Sequence, residues 1–169
     1  MRALGIDPGY GRAGVAVVER TREKERLLYS SCIETSARDS IPLRLRHIGE
    51  EIERLIKAWS PDILAIEKLY FSKNQKTALG VSEARGVILY CAGKFDIPVL
   101  EFTPLQVKAT VTGYGRADKK QMARMVATLL ALPQPPHSDD ECDAIGLALA
   151  ALAESKRLYP QKTNKGIEK

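Results

Sequence analysis

A chain of 169 residues, 44% hydrophobic and 28% charged, has the size and composition of one globular domain with a short appendage. Those values exclude a disordered or fibrous protein, and no apolar run reaches the roughly 18 to 20 residues that a membrane-crossing helix requires. The basic excess is small, 26 Lys and Arg against 21 Asp and Glu, so a formal charge of +5 favours an anionic partner without demanding one. Residues 1–30 lack the charged head, apolar stretch and cleavage site of a secretory leader, and Cys32, Cys91 and Cys142 are odd in number and widely spaced. Neither a disulfide framework nor a zinc site is expected, and a reducing cytoplasm suits the chain.

The pattern opens as a three-stranded meander. Arg2 to Asp7 is short and apolar and stops at Asp-Pro-Gly; Val15 to Val18 is a buried β-branched run; charged residues 19–26 turn the chain; Leu27 to Ile33 alternates. From Pro42 to Trp59 the apolar positions Leu45, Ile48, Ile52, Leu55 and Trp59 recur at helical spacing. Ser60-Pro61-Asp62 ends that helix, and Ile63 to Ile66 predicts a central strand in a mixed sheet. Residues 75–94 read as a helix rich in small residues, a candidate surface for close helix approach. Pro98 to Phe102 is a fifth strand, and Thr103-Pro104 caps a short helix over Leu105 to Val111. Residues 112–117 form a Gly-rich loop, Met122 to Leu130 an amphipathic helix ended by prolines, and a mostly buried last helix begins near Asp139. The domain is expected to span residues 1–157, with 158–169 a polar, flexible tail.

Acidic residues at the ends of buried elements carry the chemistry, because an ionised carboxylate beside a core is costly unless something positive meets it. Asp7 closes the first apolar strand and Glu67 the fourth; they converge beyond the strands' carboxyl ends if those strands are parallel neighbours. Asp140 and Asp143 stand one turn apart at the start of the last helix. Such hard oxygen donors favour Mg²⁺ or Mn²⁺ over zinc, and two ions about 4 Å apart, bridged by Asp7, would serve phosphodiester hydrolysis. The plainer readings are a turn at Asp-Pro-Gly and a capping box between Ser138 and Glu141, with Asp139 and Asp140 complementing the helix dipole. Capping leaves Asp143, on an otherwise apolar helix, unexplained. His137, just before the acidic turn, could position water or bind metal, though a lone loop histidine is more often solvated. Lys68, Lys73, Lys76, Lys108, Arg116, Lys119 and Lys120 lie in loops or helix starts near the inferred pocket, where they can pair phosphates. Tyr70 and Phe71, adjacent aromatics beside lysines, can stack on unpaired bases; the bland alternative is a ring capping the core.

Gly5-Ile6-Asp7-Pro8-Gly9, Ala65-Ile66-Glu67-Lys68, Glu83-Ala84-Arg85-Gly86, Gln106-Val107-Lys108 and Asp140-Glu141-Cys142-Asp143-Ala144 follow one another in an order that resembles the RuvC family of Holliday junction resolvases, over residues 1 to about 155. The resemblance implies an α/β, ribonuclease H-like fold: a five-stranded mixed sheet with helices on both faces. It also implies a homodimer that cuts two opposed strands of a four-way DNA junction with Mg²⁺, in cooperation with the RuvA and RuvB branch-migration proteins. Asp7, Glu67, Asp140 and Asp143 match the family's acidic tetrad, Lys108 and Lys119 its positions beside the scissile phosphate. Tyr70 falls where the family commonly has a Phe that enters the opened junction, so which of Tyr70 and Phe71 stacks stays open, as does the role of Asp139.

Three other readings remain at this point. An actin-like ATPase or sugar kinase shares the opening strand and turn but needs two such lobes. A ribonuclease H-like nuclease acting on RNA or an RNA–DNA hybrid would have the same metal site, though the basic 108–120 segment and the aromatic pair favour branched DNA. A junction-binding module without catalysis would use the acids only as caps and turns.

Overall fold

Apolar alternation along the central strands sorts their side chains onto two sheet faces, and the helices cover both. The computed structural model describes residues 1–69 and 75–158, with 75–77 and 156–158 by backbone alone. In chain order the elements are β1 (Arg2–Asp7), β2 (Arg12–Arg20), β3 (Glu25–Glu34), α1 (Ile41–Trp59), β4 (Ile63–Glu67), α2 (Gln75–Lys94), β5 (Val99–Phe102), α3 (Pro104–Thr112), α4 (Lys119–Leu129) and α5 (Asp139–Leu158). The sheet order is β3-β2-β1-β4-β5; β1, β2 and β3 form the antiparallel meander, and β4 and β5 run parallel to β1. This is the expected mixed, ribonuclease H-like arrangement. Among the described residues no helix is long and apolar enough to cross a membrane.

Ala3, Ala16, Val18, Ile63 and Ala65 pack with α3, α4 and α5 on one face. Leu4, Ile6, Val15, Val17, Leu64 and Ile66 pack with α1 and α2 on the other. The element boundaries depart from the sequence expectation where polar residues extend a ladder. Strand β2 runs from Arg12 to Arg20 rather than Val15 to Val18: Arg2–Glu19 and Arg20–Glu25 ion pairs accompany the pairing at its far end, and Arg12 stands opposite Glu34 at its start. Helix α4 starts at Lys119, three residues before the apolar pattern, because Asp118 and Gln121 form a reciprocal capping box. Thr103 and Gln106 cap α3 in the same way.

Helix α5 lies almost on the bare backbone of the sheet. A Cβ built at Gly5 would stand 2.1 Å from the Ala144 carbonyl oxygen, and one at Gly14 would stand 2.0 Å from that of Asp140. Both glycines are therefore a packing requirement: only a hydrogen fits between strand and helix. The obstacle at Gly14 is backbone, which cannot swing aside as a flexible side chain would. Gly14→Ala is accordingly expected to lower the unfolding free energy by about 1–3 kcal/mol, as overpacking does. Urea denaturation checks it, and an unchanged midpoint would show that α5 rides higher than described.

Candidate active site

Strand parity decides which side chains meet. In the parallel β1–β4 register Ile6 pairs with Ile66, so Asp7 and Glu67 are the next residues on neighbouring strands at their carboxyl ends. Ala3 and Ile63, four residues back along each strand, face α5, and the two-residue period places Asp7 and Glu67 on that face too. The first turns of α5 then bring Asp140 and Asp143 over them. A cavity of about 210 Å³ opens there, lined by Glu67, Lys108, Lys119, Asp139, Cys142 and Asp143 together with apolar side chains of α3, α4 and α5.

The carboxylates repel one another in a partly buried setting. Asp7 is pushed up to about 7 from an ordinary 3.8, by burial first and then by Glu67, Asp143 and Asp140, with Lys119 opposing. Glu67 is raised by burial and by Asp143. Asp143 is raised by burial, against the pull of Lys119 and Lys108. Burial, reinforced by Asp143 and Asp139, pushes the Cys142 thiol up to about 12, which leaves it neutral and unsuited to act as a nucleophile.

Asp139 and Asp140, adjacent in sequence, turn to different partners. Asp139 accepts from Lys119 Nζ at 2.5 Å. Asp140 faces the meander, where Arg12 Nε lies 3.1 Å from its Oδ2 and the Cys32 thiol donates to the same oxygen at 3.8 Å. Asp140 therefore reaches Asp7 electrostatically from the β2 side rather than lining the cavity with Glu67 and Asp143. The anticipated capping box is half made: Ser138 Oγ accepts from the Glu141 backbone N–H, but the Glu141 carboxylate accepts from Ser30 Oγ at 2.8 Å. Glu141 is buried, and tying α5 to β3 prevails over closing the box.

Lys108 is half-buried at the cavity, while Lys119 is exposed at its mouth. Lys68, Arg116, Lys120 and His137 are exposed. Tyr70, Phe71 and Lys73 lie outside the described residues, and Lys76 is described by its backbone in the first turn of α2. Arg12 is not among the residues the motifs point to: the sequence reading leaves it in the connection before Val15, and its place opposite Glu34 comes from the β2–β3 ladder.

Among the described residues no three His, Cys, Asp or Glu side chains form a closed metal cage as they stand. Asp7, Glu67 and Asp143 form instead an open set of hard oxygen donors whose mutual repulsion a divalent cation would relieve. That donor chemistry fits Mg²⁺ or Mn²⁺.

A family model described as "Crossover junction endodeoxyribonuclease RuvC" matches residues 3–151, a span that includes all four carboxylates, Lys108 and Lys119. The chain belongs to the RuvC family. A RuvC of Petrotoga mobilis is 49% identical over 148 residues, covering 88% of this chain and 91% of that one. One from Thermosipho melanesiensis is 47% identical, covering 92% and 99%. Among solved structures, Thermus thermophilus RuvC in complex with a Holliday junction substrate superposes with a TM-score of 0.88 at 30% identity, covering 93% of this chain and 96% of that one. The yeast mitochondrial Holliday junction resolvase, at a TM-score of 0.67 and 13% identity over 94% and 80% of the two chains, shares the fold.

The electrostatic burden on Asp7 has a measurable sign. Between about pH 3.8 and 7 the folded chain keeps a proton on Asp7 that the unfolded chain has lost, so folding weakens as pH rises through that window, and the penalty is complete above about 7. Asp7→Asn cannot ionise and escapes it. In EDTA at pH 8 the variant is expected to be more stable than the wild type, by about 1–4 kcal/mol, with the gap closing as pH falls towards 4. Thermal unfolding across that range checks this; equal midpoints at pH 8 would remove the repulsion from the account.

Proposed function

We propose that this crossover junction endodeoxyribonuclease resolves four-way DNA junctions by paired, symmetric nicks through metal-assisted phosphodiester hydrolysis, in recombination and repair in the cytoplasm. The observation that carries the reading is the meeting of Asp7, Glu67 and Asp143 at one end of a RuvC-family sheet, beside Lys108 and Lys119.

We assign Asp7, Glu67, Asp140 and Asp143 as the ligands, with Mg²⁺ the natural ion, Mn²⁺ a competent substitute and two ions to a site. Bound there, the metal would supply an activated water and stabilise charge on the leaving oxygen. Asp7, which faces the other three carboxylates, is the residue that two ions would share. Lys108 and Lys119 hold ammonium groups at the cavity, where they would meet the non-bridging oxygens of the scissile phosphate and stabilise the charge that develops on them. Lys119 must leave Asp139 to do so. Arg116 and Lys120, both exposed nearby in sequence, extend positive charge towards flanking phosphates. Tyr70, Phe71, Lys73 and Lys76 are assigned to the junction, Tyr70 on family grounds and the others as an aromatic and cations beside it in sequence, with one of the two rings stacking on an unpaired base.

A junction with near two-fold symmetry calls for two cuts, and a two-fold dimer presents two sites. The outer face of α2 suits that role: Leu79 and Tyr90 are exposed, and a Cβ at Gly86 or Gly93 would meet nothing within 4 Å. Its small residues are divided between two tasks, since Gly80, Ala84 and Ala92 are buried inward. RuvA and RuvB are the expected partners on family grounds. The nuclease domain is read as residues 1–157, so truncation after Arg157 is expected to leave junction cutting unchanged; its loss in a folded protein would assign the tail a role.

The deciding assay incubates the protein with a synthetic four-way junction, a matching linear duplex and an RNA–DNA hybrid, with and without Mg²⁺. Paired metal-dependent nicks confined to the junction are expected, and Asp7→Asn should bind the junction without cutting it. Preferential cutting of the hybrid would redirect the site to RNA, and wild-type cutting by Asp7→Asn would end the mechanism.

A further inference from the structure

The cations around the acidic site are distributed unevenly. Asp140 is ion-paired by Arg12, whose guanidinium also lies 3.7 Å from Glu34, its neighbour across the β2–β3 ladder. Glu67 and Asp143 have no ion pair of this kind among the described residues. The Arg12 side chain is half exposed, and it starts from the sheet position two residues before Gly14, over which Asp140 sits. Asp140 Oδ2 thus receives two donors, Arg12 Nε and the Cys32 thiol, both from the meander. Such a contact holds the carboxylate in one orientation and also sets a permanent positive charge beside it.

We infer that Arg12 is a positioning residue that aims Asp140 and, by its charge, weakens divalent-cation binding at the Asp140 side of the site until a DNA phosphate neutralises it. The inference rests on the assignment of Asp140 as a metal ligand. Its logic is that of linked binding. A guanidinium next to a ligand repels any cation that shares the ligand, and a phosphate that approaches the exposed guanidinium cancels that repulsion. Metal and DNA then raise one another's affinity by the same factor, because a coupling free energy is reciprocal. Lys119 differs from Arg12 in its ion-pair partner, Asp139, which lies outside the four assigned ligands.

The size of the effect follows from Coulomb's law. A unit charge acting on a divalent ion about 6 Å away changes its affinity roughly tenfold even at the dielectric constant of water, and moderate salt reduces that only in part. Replacing Arg12 leaves the Asp140 carboxylate partly exposed to solvent, its side chain 33% accessible.

The experiment is calorimetric titration of Mn²⁺ into the metal-free full-length protein without DNA, on the wild type, Arg12→Gln, Arg12→Lys, Glu34→Gln and Asp7→Asn, each checked for folding by circular dichroism. Arg12→Gln is expected to bind Mn²⁺ roughly tenfold more tightly. Arg12→Lys, which keeps the charge, should stay near the wild type, and Glu34→Gln, which leaves the guanidinium to Asp140 alone, should bind more weakly. The Mn²⁺ concentration for half-maximal junction cutting should differ between wild type and Arg12→Gln by less than the DNA-free affinities do. Unchanged or weaker Mn²⁺ binding by Arg12→Gln would overturn the proposal, and an equal shift with and without DNA would overturn the coupling. If Asp7→Asn binds Mn²⁺ as the wild type does, the metal-site assignment itself fails. If Asp7→Asn loses Mn²⁺ while Arg12→Gln is unaltered, Arg12 alone is wrongly placed.

Discussion

Helix α5 meets β1 and β2 with no side chain between them at Gly5 and Gly14, and the placement of the site depends on that contact. Gly5 lies under Ala144 and Ala148, and Gly14 under Asp140, so the distance from helix to sheet is set by backbone atoms rather than by adaptable side chains. Protein interiors transmit such contacts stiffly because they are close-packed. Asp140 and Asp143 therefore stand at a fixed height above Asp7 and Glu67, which the β1–β4 register has already set side by side. The outer surface of α5 completes the layer: Leu147 packs among Val107, Val111, Met122 and Val126 of α3 and α4, and those helices carry Lys108 and Lys119 to the same opening.

The arrangement works against its own stability. Burial and mutual repulsion raise Asp7, Glu67 and Asp143 together, and a fold selected only for stability would separate them. The chain supplies its positive charge from the periphery: Arg12 from β2, Lys108 from α3 and Lys119 from α4. None of the three stands between the carboxylates, so the centre keeps the negative potential that draws a divalent cation, while the rim can receive an anionic backbone. The Lys119–Asp139 pair is exposed on both sides, and pairs of that kind contribute little to folding. Little stability is therefore lost when Lys119 leaves Asp139, as its proposed role at the phosphate requires.

Much of this was legible from the chain alone, and the reason differs from residue to residue. Asp7 and Glu67 stood out because each ends an apolar run, and Asp143 because it interrupts an apolar helix face; such anomalies are local and visible in a linear string. The helix over 75–94 is legible to the residue, and the expected start of the last helix near Asp139 agrees with α5. Strand β2 was read short because apolar periodicity marks only the buried part of a ladder, whereas ion pairs with β1 and β3 accompany the rest. The start of α4 was missed because its capping box, Asp118 with Gln121, precedes the apolar pattern. Glu141 was assigned the local role of a cap, and a distant hydroxyl, Ser30, holds its carboxylate instead. Arg12 and the burial of Arg44 needed the tertiary fold, since their partners are brought together by strand pairing and by the turn after β1.

That turn joins the two faces of the sheet. On the face opposite the carboxylates, the Arg44 guanidinium lies over the Tyr10 ring, 4.1 Å from its centroid, donates from Nη2 to the Tyr10 carbonyl at 3.1 Å and from Nε to Thr35 Oγ1 at 2.8 Å. A buried guanidinium is tolerated when its donors and its face are occupied in this way. Tyr10 is pressed in turn against Gly80, where any Cβ would come within 2.6 Å of the ring. The segment immediately following Asp7 is thus clamped between α1 and α2, and the first carboxylate of the site is braced from the side of the sheet that carries no chemistry. Helix α2 also offers the exposed face proposed for pairing with a second copy, so the element that would meet the partner is in direct contact, through Tyr10, with the turn that holds Asp7. In a dimer formed on that face, one aromatic ring would stand between the partner-facing helix and the turn that holds Asp7.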